Sequence, residues 1–318
     1  AIRRPRPLCI RDSVLDLDAY SVDAYLGAAN SYVKLNRNDD AIDLLQTGYN
    51  YTGSGSIWSR LIYLKKTPHL NLADSYLASG RYSEAAEEYR TVLGIDYYCL
   101  EAYSGLADAY AGLGKYSWAE ETLTDGYNAT GNKELLDRAL RLRLNYAPLS
   151  PQKTSYEPLN SLIQQILSQI TSSNMSTYQK VMACYDYLVD NCKYGDPSSS
   201  YFTPGDEANE RLYAEKSAYA ILKGKVGICI NYSAAFVAMT RALGLKAYLR
   251  TGQTTAYLGG YTAHIWCEIE LNGTMYIFDP QLDDELINRG DNYEYTRFCK
   301  TYDQMTYHYI PEGYHYMF

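Results

Sequence analysis

The sequence predicts two architectures in series: an all-α array of helical repeats over residues 1–147, then an α+β domain over residues 156–318, with helices packed on an antiparallel sheet. Three observations predict this. The first half matches itself at an offset of 78 residues; a Pro-containing stretch breaks the helical pattern at 147–158; and beyond it come helices, one very apolar helix and then strands. At 318 residues the chain is long enough for two cores.

The self-match aligns Asp23-Ala24-Tyr25 through Gly48-Tyr49-Asn50 with Glu101-Ala102-Tyr103 through Gly126-Tyr127-Asn128, without a gap. A third copy lies between them. Each copy carries an aromatic or His, a small pair and a Tyr: Tyr25, Ala28, Ala29, Tyr32; His69, Leu72, Ala73, Tyr76; Tyr103, Leu106, Ala107, Tyr110. Ala41 and Leu45, Ala85 and Tyr89, and Ala119 and Leu123 follow in turn. Small residues at fixed places let two helices approach closely while Tyr and Leu fill the gap. Gly80 and Gly114 fall where the turn between helices needs a permissive backbone. The pattern resembles the tetratricopeptide repeat over about 22–144. The second-to-third step is 34 residues and the first-to-second step 44, so the extra residues near 54–65 are expected to form an extended or an additional helix. Such arrays present a groove for an extended peptide or serve as a rigid spacer. Asn30, Asp74 and Asp108 occupy equivalent places and are the candidate partner contacts, with solvated polar positions as the alternative.

Ala147-Pro148-Leu149-Ser150-Pro151, with Pro158 soon after, marks the expected domain boundary. Residues 159–170 and 177–189 read as amphipathic helices, 191–209 as a loop, and 217–222 as a short helix. Residues 229–243 form the most apolar helix of the chain, punctuated by Gly227 and Gly244. Strands are expected at 246–250, 264–271 and 274–278, with Asn272-Gly273 as a hairpin turn between the last two.

Composition narrows the function. A net charge of −8, from 29 basic and 37 acidic residues, argues against nucleic acid as the main partner. The one dense basic stretch, Arg3, Arg4 and Arg6 between prolines, reads as a disordered or truncated end. No apolar run is long enough for a membrane span. The chain starts at Ala1 without a signal-peptide pattern, so the expectation is a trimmed N-terminus that has lost an export signal or anchor. An extracytoplasmic or cell-surface location is favoured on that ground, although the cysteines leave the compartment open. These are Cys9, Cys99, Cys184, Cys192, Cys229, Cys267 and Cys299; odd in number and widely spaced, they resemble no disulfide framework. No CxxC occurs, and neither a metal nor a cofactor is expected. Tyrosine is abundant, 36 against 5 Phe, and simple replacement of Phe in the core is the favoured explanation over sugar- or peptide-facing surfaces.

Chemistry concentrates at three positions. Cys229 opens the apolar helix, where free amides and the helix dipole favour a thiolate. His264 starts the following long strand, and Asp279 ends the strand paired with it through Asn272-Gly273. A hairpin brings His264 and Asp279 together, and the carboxylate can then orient the imidazole. Gly227-Ile228-Cys229 with Tyr232, Ala234 and Phe236, then Ala263-His264-Ile265-Trp266, then Phe278-Asp279-Pro280 resembles the transglutaminase-like superfamily of papain-type fold, over roughly 156–284. Ile230-Asn231 after the Cys and Cys267 after the Trp depart from the usual pattern and bear on substrate choice.

The resemblance implies thiol attack on an amide or ester carbonyl, an acyl-enzyme, and release by water or an amine. The expected substrate is a peptide, protein or peptide-glycan polymer such as cell-wall peptide, with the repeats positioning a substrate or partner. The alternative is a catalytically silent binding or scaffold protein with a vestigial triad. Trp266, Tyr232 and Asn231 are candidate substrate contacts; Trp266 either lines the site or packs in the core, and for Tyr232 the core is favoured. Cys267 is expected to be packing. Asp283-Asp284-Glu285 is expected to be a solvated turn in preference to a calcium site, and His308 with His315 is a remote metal-pair candidate.

Overall fold

The structure, a computed structural model, describes residues 18–203, 205, 209–255, 259–288, 295–305 and 309–314. The chain divides into two compact units, Ala1–Ala139 and Leu140–Phe318.

The first unit is helical throughout its described residues: α1 (Val22–Lys34), α2 (Asn38–Thr52), α3 (Gly55–Ala78), α4 (Tyr82–Ile95), α5 (Leu100–Gly112), α6 (Tyr116–Thr130) and the beginning of α7 (Lys133–Asn145). Close helix approach explains the small residues. A Cβ on Gly48 would lie 2.6 Å from the Tyr25 ring, and one on Gly126 would lie 2.8 Å from the Tyr103 ring, so both copies press a Tyr of one helix onto a bare backbone of the next. Gly80 and Gly114 take positive φ in the turns, and Asn36 does the same at the first copy's equivalent of Gly114. The extra residues of the first step lengthen α3 to a single 24-residue helix that runs through Pro68. Proline removes one ladder bond, yet buried Ile57, Leu61 and Leu64 before it and Ala73 after it hold the helix in packing.

The second unit follows the α+β plan. Its helices are α8 (Glu157–Ile170), α9 (Thr177–Asn191), α10 (Glu210–Gly224), α11 (Cys229–Ala242) and α12 (Pro280–Asn288). Its strands are the two-residue pair β1 (Lys193–Tyr194) and β2 (Val226–Gly227), which run parallel, and β3 (Lys246–Thr255), β4 (Tyr261–Leu271), β5 (Thr274–Phe278) and β6 (Tyr309–Tyr314). These last four form an antiparallel sheet in the order β5-β4-β3-β6. α11 is buried continuously from Ile230 to Arg241, which its run of Ala, Phe, Val and Met permits on every face. Cys267, Ile269 and Leu271, alternating along β4, join α11 in one core.

Leu140 and Leu144 of α7 and Ala147 belong to this same core, so the division between units falls inside α7, earlier than the Pro-containing stretch. That stretch is held to the end of α11. The Ser150 amide donates to the Gly244 carbonyl at 2.7 Å, and the Gln152 amide to the Arg241 carbonyl at 2.9 Å. α10 and β3 are longer than the sequence suggests, and α12, β6 and the β1–β2 pair were not expected. β6 carries Pro311 and Gly313, which spoil a strand pattern but are tolerated on an edge strand.

Candidate active site

Cys229 is the first residue of α11 and the one partly exposed thiol among the described cysteines; Cys99, Cys184, Cys192, Cys267 and Cys299 are buried. The helix entry is closed by Asn231, which is 1% exposed. Its Oδ1 accepts the Ile228 amide at 2.9 Å, and its Nδ2 donates to the Ser217 carbonyl of α10 at 3.0 Å. The asparagine therefore seats the thiol-bearing turn upon α10, the service an N-cap side chain normally gives.

His264 and Asp279 come together through the β4–β5 hairpin. The turn residues Asn272 and Gly273 both have positive φ, as a tight two-residue hairpin requires. His264 Nε2 stands 2.6 Å from Asp279 Oδ2. Burial works against charge on the imidazole, but Asp279, by charge and hydrogen bond, and Cys229, by hydrogen bond and charge, outweigh it and push the His264 pKa up to about 10. Burial likewise opposes ionisation of Asp279, and the His264 charge and hydrogen bond, Arg297 and Tyr309 overcome it, holding the carboxyl below its usual range. With Nε2 taken by the carboxylate, Nδ1 is the ring nitrogen left for the thiol. The three residues expected to act together are thus in one contact chain.

The carboxylate is gripped by more than the imidazole. Tyr309 of β6 donates to the same Oδ2 at 2.7 Å, and the Leu282 amide donates to Oδ1 at 3.2 Å. The Asp279 amide donates to the Arg297 carbonyl at 3.1 Å. Behind this, Asp283 is fully buried and accepts from Tyr185 at 2.6 Å, from Thr296 at 2.6 Å and from the Arg297 guanidinium at 3.2 Å. Asp284 accepts from Tyr232 at 2.7 Å. The expected solvated turn at 283–285 is therefore corrected. Asp283 and Asp284 are interior acceptors, and their oxygens are engaged by side-chain donors in the interior. His308 and His315 lie outside the described residues.

The candidate substrate contacts need correction as well. Trp266 and Tyr232 are fully buried, and Asn231 is engaged as above. Trp266 stacks beneath the His264 ring, centroids 6.3 Å apart at 21°, and meets Tyr309 edge-on at 5.0 Å. It supports the imidazole from below. An exposed aromatic at the site is Tyr194, on β1, within the stretch expected to form a loop. Burial, then the charges of Cys229, Glu285 and Asp196, push its phenol up, which marks it as a neighbour of the thiol. Pairing of Tyr194 with Gly227 across β1 and β2 brings it there. Nothing in local sequence announces a two-residue parallel pair. Tyr309 was hidden for a related reason, in a Tyr-rich tail without alternation.

In the repeat unit, the Asn30 amide oxygen accepts from Arg60 at 2.9 Å, Asp74 from Tyr89 at 2.6 Å, and Asp108 from Arg138 at 2.6 Å. Asp74 and Asp108 also line a cavity of about 440 Å³ with Tyr89, Glu101, Ser104 and Glu134. Among the described residues no helix is long and apolar enough to cross a membrane, and no group of three or more His, Cys, Asp or Glu could hold a metal ion.

Comparison with known proteins agrees with this picture at the level of family. Residues 164–280 match the model of the transglutaminase-like superfamily, and residues 68–99 match a tetratricopeptide repeat. The chain therefore carries a transglutaminase-like core behind a repeat-bearing helical region. No curated protein matches the chain. Among solved structures it is similar to a proposed cysteine protease from Cytophaga hutchinsonii, at 20% identity and a TM-score of 0.30, over 41% of this chain and 39% of that one. It is also similar to a structure described as a TGase, at 17% identity and a TM-score of 0.25, over 52% and 38% respectively. The chain thus spans about two-fifths of the length of either.

Proposed function

We propose that the chain is a thiol enzyme performing acyl transfer or amide hydrolysis on a peptide, protein or peptide-glycan substrate, with the helical repeats positioning a partner or the substrate. The observation that carries this reading is the chain of contacts from a partly exposed thiol at a helix N-terminus, through His264, to a buried carboxylate 2.6 Å from the ring. The imidazole is held protonated beside the thiol, where it can exchange a proton with the sulfur and with a leaving group. The Cys229 sulfur attacks the carbonyl carbon, and the C–O π electrons move to oxygen. His264 gives its proton to the leaving amine as the C–N bond breaks. Water or an amine, deprotonated by the imidazole, then adds to the thioester carbonyl; the C–S bond breaks as the carbonyl re-forms, and the departing sulfur takes the proton back from the imidazolium. Asp279 keeps the ring in the productive orientation throughout. Tyr194, exposed and near enough to Cys229 for their charges to interact, is available to contact a substrate. The cavity lined by Asp74 and Asp108 is the place where a peptide partner would engage the array.

Iodoacetamide labelling read by mass spectrometry tests the core of this reading. Cys229 is expected to alkylate faster than the other six cysteines at neutral pH, and His264→Gln is expected to slow it by about a hundredfold, the scale of a lost acid–base partner. An aryl ester should leave an acyl group on Cys229 and none on Cys229→Ala. Labelling at the rate of an ordinary exposed thiol, indifferent to His264→Gln, would leave a binding module instead.

A further inference from the structure

Tyr309 lies beyond the segment matched by the transglutaminase-like model and far from Cys229 in sequence, yet it touches the centre of the site. Its hydroxyl donates to Asp279 Oδ2, the oxygen that also faces His264 Nε2. Its ring lies 6.3 Å from the His264 ring and edge-on to Trp266 at 5.0 Å. The fold goes to some length to bring it there. β6 pairs with β3, placing Tyr309 opposite Thr254, and the register shifts between Thr251 and Gly252. A Cβ on Gly252 would fall 2.1 Å from the Ile310 carbonyl oxygen and 2.7 Å from the Trp266 ring, so only glycine lets β6 and the indole close on this point.

We infer that Tyr309 is a positioning residue for the reaction proposed above: its hydroxyl fixes the plane of the Asp279 carboxylate and so fixes the direction in which His264 presents its ring to Cys229. The torsion of an aspartate carboxylate is soft. The Leu282 amide pins Oδ1, but without the phenol Oδ2 would be held by the imidazole alone, and carboxylate and ring could swing as a pair. With the phenol present, Oδ2 has two donors from two different strands, β4 and β6. The charged and titratable groups around this point are His264 on β4, Tyr309 on β6, Arg297 on the segment before β6, Cys267 on the opposite face of β4, and Asp283 on α12. Arg297 neutralises charge there but donates to Asp283 rather than to Asp279, so the phenol is the side chain that sets the carboxylate's angle from the far side.

The inference rests on the proposed function, and its test separates the two. Tyr309→Phe keeps the ring and its packing and removes only the hydroxyl. In the full chain, the His264 ring N–H shared with Asp279 should give a downfield, slowly exchanging proton resonance, assigned by its loss in His264→Gln. In Tyr309→Phe that proton should exchange with water about tenfold faster, the factor corresponding to one modest hydrogen bond, and iodoacetamide labelling of Cys229 should slow several-fold at neutral pH. A purely structural tyrosine would lower the melting temperature and leave both readouts unmoved, which overturns the inference. Should Cys229 labelling prove indifferent to His264→Gln, the catalytic reading falls, while the proton resonance still judges the hold on Asp279. If Tyr309→Phe fails to fold, 3-fluorotyrosine at position 309 keeps the shape and strengthens the donor. The resonance must then shift, and an unshifted one overturns the inference.

Discussion

The two units use the same polar chemistry at different depths. In the repeats, pairs such as Arg60 with Asn30 and Arg138 with Asp108 join neighbouring helices across thirty residues, and they sit near the surface. In the second unit, Tyr185 with Asp283 and Tyr232 with Asp284 reach across 98 and 52 residues, and all four side chains are interior. A surface pair keeps its water when a partner is lost, whereas an interior carboxylate does not. The array should therefore tolerate polar loss one pair at a time. The network behind Asp279 should fail as a unit.

The sharpest way to break that comparison is Arg297→Met. Burial pushes Asp283 up despite its donors, and Arg297 is one of the groups that offset this. Removing the guanidinium leaves Asp283 its hydroxyl donors but no buried positive charge, and takes a favourable charge from Asp279, so a loss of about 3–5 kcal/mol is expected from denaturant unfolding. A loss below 1 kcal/mol would show that the interior network behaves like the surface pairs.

Protonation gives the second test, through His264→Gln. The His264 pKa is raised from 6.5 to about 10, so its stabilising effect is fully present below pH 6.5 and disappears as pH climbs through about 10. Asp279 is depressed from 3.8, so its share is present above that value and is lost as pH falls through the lowered one. The melting-temperature gap between the wild-type chain and His264→Gln should be widest between these limits and should close toward pH 10. A gap that stays constant from pH 6 to 10 would mean no charged imidazole in the folded state.

The same contrast explains what the sequence could tell. The array was legible because each repeat solves its packing with local residues, and the solution is printed again 78 positions on: Tyr25 over Gly48, then Tyr103 over Gly126. That Cys229, His264 and Asp279 come together was legible because Cys229 opens a helix, Asp279 directly follows β5, and the Asn272-Gly273 turn pairs β5 with the strand that carries His264. Their supports were not. Tyr309, Arg297 and Tyr194 arrive through an edge strand, a connecting segment and a two-residue parallel pair, none with a pattern of its own. Trp266 and Tyr232 are both buried, so the core placement favoured for Tyr232 holds, and for Trp266 the core is the outcome in place of a lining position. The tyrosine excess also meant more than Phe replaced in the core. Tyr89, Tyr185, Tyr232 and Tyr309 each deliver a hydroxyl to an Asp, and Tyr302 delivers one to Glu268, which Phe could not do.

Repeat symmetry gives a third, smaller effect. Gly126→Ala gains about 1 kcal/mol of helix propensity, but its Cβ would meet the Tyr103 ring at 2.8 Å and Leu135 at 2.7 Å. Overpacking of that kind costs about 1–3 kcal/mol, so the net change should be mildly destabilising. Gly48→Ala should behave alike, because its Cβ meets Tyr25 at 2.6 Å. Gly55→Ala, at the open start of α3 with nothing within 4 Å, should be neutral or better. If all three substitutions stabilise equally, the close approach of the repeat helices is not what selects glycine.

The smallest expected effect belongs to Arg138→Met. The guanidinium donates to Ser104 and to Asp108, 2.6 Å away, but the Asp108 side chain is 52% exposed and that of Arg138 29%. Both charges keep much of their hydration, salt screens them further, and methionine preserves most of the packing stem. A loss of about 0–1 kcal/mol is expected, shrinking as salt is added. Arg60→Met at the equivalent place in the first copy should match it, since Asn30 there carries no charge to strand. The Arg138 variant also frees Asp108 toward the cavity it shares with Asp74 and Glu101. If a peptide partner binds there through positive charge, its affinity should rise in Arg138→Met even though stability barely moves. A stability loss above 2 kcal/mol would instead show that these surface pairs are structural, and the array would then resemble the second unit more than its exposure suggests.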